Sequence, residues 1–122
     1  MSKDKVTQRL EAALEPSKRL TAEAVAFSRK YGLEPFLTRV PRIVCADGFS
    51  MSVQASDGHY CQPRDSKGPW YQVEVGFPSE KVDALMPFIE GDENQDPTST
   101  VYGYVPIETV VQVIIDHGGF TP

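Results

Sequence analysis

The strongest constraint on the fold is a change of hydrophobic period at residue 43. From Phe49 onward, Phe49, Met51, Val53 and Ala55 alternate with Ser50, Ser52, Gln54 and Ser56. A period of two is the mark of a strand with one face toward the core and one toward water. Ile43-Val44-Cys45-Ala46 precedes it, and Asp47-Gly48 lies between. That dipeptide predicts a two-residue type I′ hairpin loop, because both central residues must take positive φ.

The rest of the chain is punctuated around this hairpin. Asp57-Gly58 predicts a second turn, followed by a loop from His59 to Pro69. A third strand is expected over Trp70–Phe77, with Tyr71, Val73, Val75 and Phe77 on the core face and Trp70 opposite, beside Gln72 and Glu74. Ser79 is expected to cap a helix carrying Val82, Leu85, Met86 and Ile89 inward, with Pro87 near its end. Glu90–Ser99 reads as an acidic loop and Thr100–Val105 as a fourth strand. Pro106 then opens a last helix, whose Ile107, Val110, Val111, Ile114 and Ile115 make an apolar stripe, stopped by Gly118-Gly119.

Ahead of residue 43 the period is helical. Asp4 is a candidate cap for a first helix, with Val6, Leu10, Ala13 and Leu14 on one narrow stripe and Pro16 at its end. Ser17 or Thr21 would cap a second helix that buries Leu20, Ala24, Phe27 and Tyr31 and stops at Gly32. Residues 1–32 thus predict a helical arm or hairpin, and 43–122 an α+β core, in one domain overall. The expected order is α-α-β-β-β-α-β-α. The expected fold class is α+β: a four-stranded, mainly antiparallel sheet with helices packed on one face. A chain of 122 residues can bury a core without disulfide staples.

Charge is divided along the chain. Residues 1–42 carry nine Lys/Arg against five Asp/Glu, a balance of +4, while 43–122 carry three against twelve, a balance of −9. An acidic body argues against direct nucleic-acid binding, which needs cations to neutralise phosphates. The acidic loop residues Asp92, Glu93 and Asp96 are a candidate surface for a basic partner. There is no membrane-length apolar run, and no export signal is expected. Two cysteines are too few for a disulfide framework, so a cytoplasmic location with reduced thiols is expected.

Four segments together resemble a family of small accessory proteins of tailed bacteriophages. They are Cys45–Ala55, His59–Arg64, Val73–Ser79 and Val101–Pro106. The resemblance spans roughly the last two-thirds of the chain and leaves the N-terminal helices outside. It implies no activity and transfers no functional residue. It does imply a host-cell context, in which many such proteins bind and inhibit bacterial defence systems.

Few residues are arranged for chemistry. Cys45, His59, Cys61 and His117 lack the paired ligand spacing of a zinc site, so no metal and no cofactor are expected. Cys61 has His59 two residues away but no pattern for an oxyanion hole, so no nucleophile is assigned. Asp92, Asn94 and Asp96 have calcium-loop spacing, yet Pro97 and Gly103 stand where glycine and glutamate are required. One loop remains. His59, Tyr60, Arg64, Lys67 and Trp70 gather aromatic rings and two of the acidic part's three cations. Such side chains are enriched at binding hot spots, and they also suit a planar anionic ligand. The leading expectation is therefore a non-catalytic phage protein that binds and inhibits a host protein, in the manner of a defence-system inhibitor. The alternative is a protein that binds or sequesters a small nucleotide. An enzyme ranks third, because no acid–base pair can be named.

Overall fold

A computed structural model describes residues 2–17, 26, 27, 29–31, 40–56, 58–65, 67–92 and 94–121. It is an α+β protein. Helix α1 spans Lys3–Leu14, strands β1 to β4 span Ile43–Val44, Ser50–Gln54, Gln72–Gly76 and Val101–Pro106, and helix α2 spans Ile107–Asp116. A 3-10 helix, Asp83–Phe88, lies between β3 and β4. The four strands form one antiparallel sheet in the order β1-β2-β3-β4.

The core grows out of the two periods. Val6, Leu10 and Leu14 of α1 join Val110, Val111, Val113 and Ile114 of α2, and Met51, Val53, Val73, Val75, Tyr102 and Val105 of the sheet, in one buried cluster. The narrow stripe of α1 is thus enough to pack the helix, and α1 is no loose arm. Ser2 caps it, its hydroxyl accepting the Lys5 amide, while Asp4 sits inside the first turn. Most of the expected second helix lies outside the described residues, including Leu20, Ala24 and Gly32. Phe27 and Tyr31, expected to be buried, are each 56% exposed and pack ring against ring.

The turn at 47–48 differs from the expectation. Cys45 pairs with Phe49, so Ala46, Asp47 and Gly48 form a three-residue loop. Only Gly48 has positive φ, at 95°, as in a type I turn closed by a left-handed glycine. Asp47 has no positive φ, because in a three-residue loop only the last residue is left-handed, and its carboxylate accepts the Phe49 amide across the turn. The second face of β2 differs too. Ser52, Gln54 and Ser56 are buried, not solvated. The Gln54 side-chain amide pairs with both backbone groups of Val40, at 2.8 and 2.9 Å, as a further strand would.

No α-helix starts at Ser79. Its amide and hydroxyl bond the Ser50 carbonyl and amide, so it prolongs the β3 ladder past Gly76. Pro87 then limits the helical segment after it to a short 3-10 turn that buries Leu85.

Both edges of the sheet are covered. Gly118 and Gly119, with φ of 90° and 85°, end α2 and turn the chain back toward the sheet. Phe120 bridges Cys45, and the Thr121 amide donates to Val44 O. His117 locks this return: its Nδ1 is 2.7 Å from Asp47 Oδ2 and its ring stacks on Phe49 at 4.0 Å. At the other edge, Ile89 bridges Tyr102 and the Glu90 amide donates to Val101 O. Covered edges remove the template for unwanted strand pairing.

The phase of α2 is tested at Ile114, which is fully buried as its stripe predicts. Ile114→Ala should cost about 2–5 kcal/mol in a thermal or denaturant melt. A melt indistinguishable from wild type would contradict this packing.

Candidate functional site

Two β-bulges build the site. The first is in β4. Val73 pairs with Val105 and Val75 with Tyr102, so Gly103 and Tyr104 together oppose the single residue Glu74. Tyr104 takes a left-handed φ of 55°, rare for an aromatic residue. The extra residue leaves the Tyr104 amide out of the ladder. That amide donates instead to Tyr60 O at 3.0 Å, which ties the loop after β2 onto the sheet edge. Gly103 lets the chain pack closely here: a Cβ would lie 3.2 Å from Tyr60 Cβ and would make the Glu90 carboxylate move aside.

The second bulge is at the entry to β3. The amides of Tyr71 and Gln72 both donate to Gln62 O, at 2.9 and 3.3 Å. Two residues facing one put Tyr71 and Gln72 on the same side and shift the strand's phase by one. This corrects the expected faces of Trp70 and Tyr71. Trp70 falls in with Val73 and packs half-buried against the core. Tyr71 points out and is 62% exposed. Its carbonyl accepts the Ile107 amide at the start of α2. Phe77, at the far end, is also turned out by a positive φ of 49°.

The predicted site residues separate accordingly. Tyr60, 40% exposed, lies beside Tyr104 with ring centroids 5.9 Å apart. The Arg64 guanidinium sits over the Tyr60 ring at 5.4 Å. These three form one outward-facing cluster. Lys67 is exposed, but the described contacts do not bring it to that cluster. His59 departs from the expectation and is 5% exposed, with Nδ1 2.6 Å from Ser56 Oγ. Trp70 also turns inward, its indole N–H donating to Asp65 O at 3.0 Å and its ring lying against Gly68. Tyr104 was missed by sequence reasoning. The signal for it was a glycine inside a strand pattern, which often marks a bulge.

The loop is held by local hydrogen bonds. Asp65 Oδ1 accepts the amides of Lys67 and Gly68, both at 3.0 Å, and these hold its carboxyl below its ordinary value of 3.8. The Cys61 amide donates to His59 O in a tight turn, and its thiol donates to Ser56 O. The chain between them is therefore not extended, and the side chains of His59 and Cys61 both engage Ser56. Burial pushes the Cys61 thiol up. Cys45 is pushed up to about 11 by burial first and then by Asp47. Raised thiols are poor nucleophiles and poor metal ligands at neutral pH. Among the described residues, no group of three or more His, Cys, Asp or Glu could hold a metal ion.

The acidic loop is organised inward on itself. Asp92 accepts the Asn94 amide, and Asp96 accepts the amide and hydroxyl of Thr98 and the hydroxyl of Ser99. The Thr98 bonds, the side-chain one foremost, hold the Asp96 carboxyl below its ordinary value. Asp92 and Asp96 are nevertheless exposed, while Glu93 lies outside the described residues. Calcium-loop spacing is thus accounted for by two turn-forming aspartates. No described helix is long and apolar enough to cross a membrane. Compared with protein-family models, curated proteins and solved structures, the chain matches none.

Asp65 gives a pH test. A carboxyl with a depressed folded pKa contributes order above its unfolded value and loses it as pH falls through the lower folded one. The amide signals of Lys67 and Gly68 should therefore titrate together with a midpoint below 3.8. A midpoint at or above 3.8 would show that the carboxylate does not hold the loop.

Proposed function

We propose that this chain is a non-catalytic accessory protein that binds a host protein through Tyr60, Arg64 and Tyr104, and that the host protein belongs to a bacterial defence system. The observation that carries the reading is the bulge in β4. A left-handed tyrosine costs of order 1–3 kcal/mol and persists only where its surroundings enforce it. Here the enforced result is a rigid, outward pair of aromatic rings with a guanidinium against them. Rigid Tyr and Arg on a surface are the anchors that carry most of the energy in protein interfaces. Support for a bacteriophage origin comes from the resemblance of residues 45–106 to phage accessory proteins.

A protein partner suits this surface better than a nucleotide does. The nucleotide reading rested on the aromatic and cationic side chains of the loop together, and of these the Trp70 indole packs half-buried with its N–H already bonded and His59 is buried. Acidic residues of the body and the locally placed Arg64 together favour a partner with a basic surface and one acidic contact point.

The reading is tested in host cells. Expression of the chain should restore plaque formation by a sensitive phage on a strain carrying the targeted defence system. The double variant Tyr60→Ala, Arg64→Ala should lose at least about tenfold of that restoration, since each hot-spot truncation costs about 2 kcal/mol or more. Its melting curve should stay close to wild type, because both side chains lie at the surface. Full restoration by a folded double variant would remove this surface from consideration.

A further inference from the structure

An open groove lies away from the Tyr60 cluster. Its volume is about 500 Å³, within the range of small-ligand sites. Three segments wall it: α1 with Arg9, Ala12 and Ala13, β1 (Ile43 and Val44) with Arg42 just before it, and the returning tail with Phe120 and Thr121. Most of the lining is apolar. Val44, a β-branched residue on the outer strand, stays exposed at its margin.

Two arginines line it, and each is held by contacts with neutral groups. The Arg9 guanidinium lies over the Phe120 ring, 4.4 Å from the centroid. Stacking occupies the face of the group and leaves its in-plane N–H donors free to point elsewhere. Arg42 donates from Nη2 to Ser50 Oγ and Phe77 O, at 3.1 and 2.6 Å. Both acceptors are neutral, and Nε and Nη1 are not used by them. Among the described residues, no carboxylate is paired with either arginine. In a chain of net charge −5, an apolar groove with the Arg9 guanidinium at its Phe120 wall has a definite electrostatic preference.

We infer that the groove between α1, β1 and the Phe120–Thr121 tail binds a small amphipathic carboxylate, its apolar body against Ala12, Ala13, Ile43 and Val44 and its anionic head at the Arg9 guanidinium held over Phe120. Carboxylate is the complementary head group, because a guanidinium presents paired donors in the plane that a carboxylate accepts. An apolar body is required, because the Ala and Val lining offers burial and no side-chain hydrogen bonds. A free small molecule fits the concave, three-sided shape and its volume. The inference is independent of the Tyr60 surface and survives or fails without it.

The test uses the full chain with decanoate and naphthoate as probes and decanol as the uncharged control. Amide signals are followed by NMR during titration. Expected are saturable shifts centred on Arg9, Ala12, Ala13, Val44, Phe120 and Thr121, with at least one carboxylate binding below about 1 mM. Decanol should bind at least about tenfold more weakly than decanoate. Arg9→Gln should weaken carboxylate binding while leaving decanol unchanged. Ala12→Trp, on the exposed side of α1, should block both by filling the groove, with the melting curve preserved. The inference is overturned if neither carboxylate shifts these signals by about 1 mM, if decanol binds as well as decanoate, or if folded Ala12→Trp binds like wild type.

Discussion

Everything distinctive about this fold depends on one amide displaced from its ladder. In a regular β3–β4 pairing, the residue at position 104 would bond β3 and its side chain would keep to the pleat. The extra residue in β4 breaks that pairing, and the Tyr104 N–H must find another acceptor. A buried or half-buried amide without one costs about 1–3 kcal/mol, so the structure supplies Tyr60 O. That bond docks the loop after β2 and brings the Tyr60 and Tyr104 rings close, with Arg64 over the Tyr60 ring. The same local economy recurs at Tyr71 and Gln72, which share one carbonyl. Two irregularities in neighbouring strands thus turn a plain meander into a platform for a rigid loop.

The remainder of the molecule supplies the rigidity that such strain requires. Helices α1 and α2 pack their apolar stripes together and onto the sheet in a single core. The chain's return after Gly119 is fastened by His117, which reaches the hairpin turn through Asp47 and the start of β2 through Phe49. Asp47 serves both contacts, since its carboxylate also accepts the Phe49 amide, and these bonds hold its carboxyl below the ordinary value. Covering the β1 edge by the tail creates, as a by-product, the third wall of the arginine-lined groove. One chain reversal therefore closes an edge and shapes a cavity.

Elements with a long or pure period were legible from residue order alone. In α2, Val110, Val111 and Ile114 of the stripe are buried, with Ile107 and Ile115 partly so and Val113 buried beside them, and Phe49, Met51 and Val53 are all buried, because burial on one face dictates identity at every second or every third and fourth position. What the residues could not convey was phase after an inserted residue. Trp70 and Tyr71 exchanged faces because a bulge depends on which carbonyl two amides share, and that carbonyl belongs to Gln62, on a distant part of the loop. Ser52, Gln54 and Ser56 looked solvent-facing, yet Gln54 pairs with Val40, well before it in the chain. His59 looked available, but a tight turn at Cys61 folded it inward. In the site, Tyr60 and Arg64 were readable as chemistry, and Tyr104 became visible only through the geometry that brings it beside them.

Residues 58–65 are docked on the β4 bulge, so that Tyr60 and Tyr104 present a single surface in the free protein. Such preorganisation is what lowers the ordering cost on binding. The most direct measurement is a pair of NMR observations on the unbound chain: the nuclear Overhauser effects between the Tyr60 and Tyr104 rings, and the hydrogen-exchange rate of the Tyr104 amide. The docked loop predicts ring-to-ring effects and an amide protected like its neighbours in β4. An amide that exchanges at the rate of an open coil, with no effect between the rings, would contradict it.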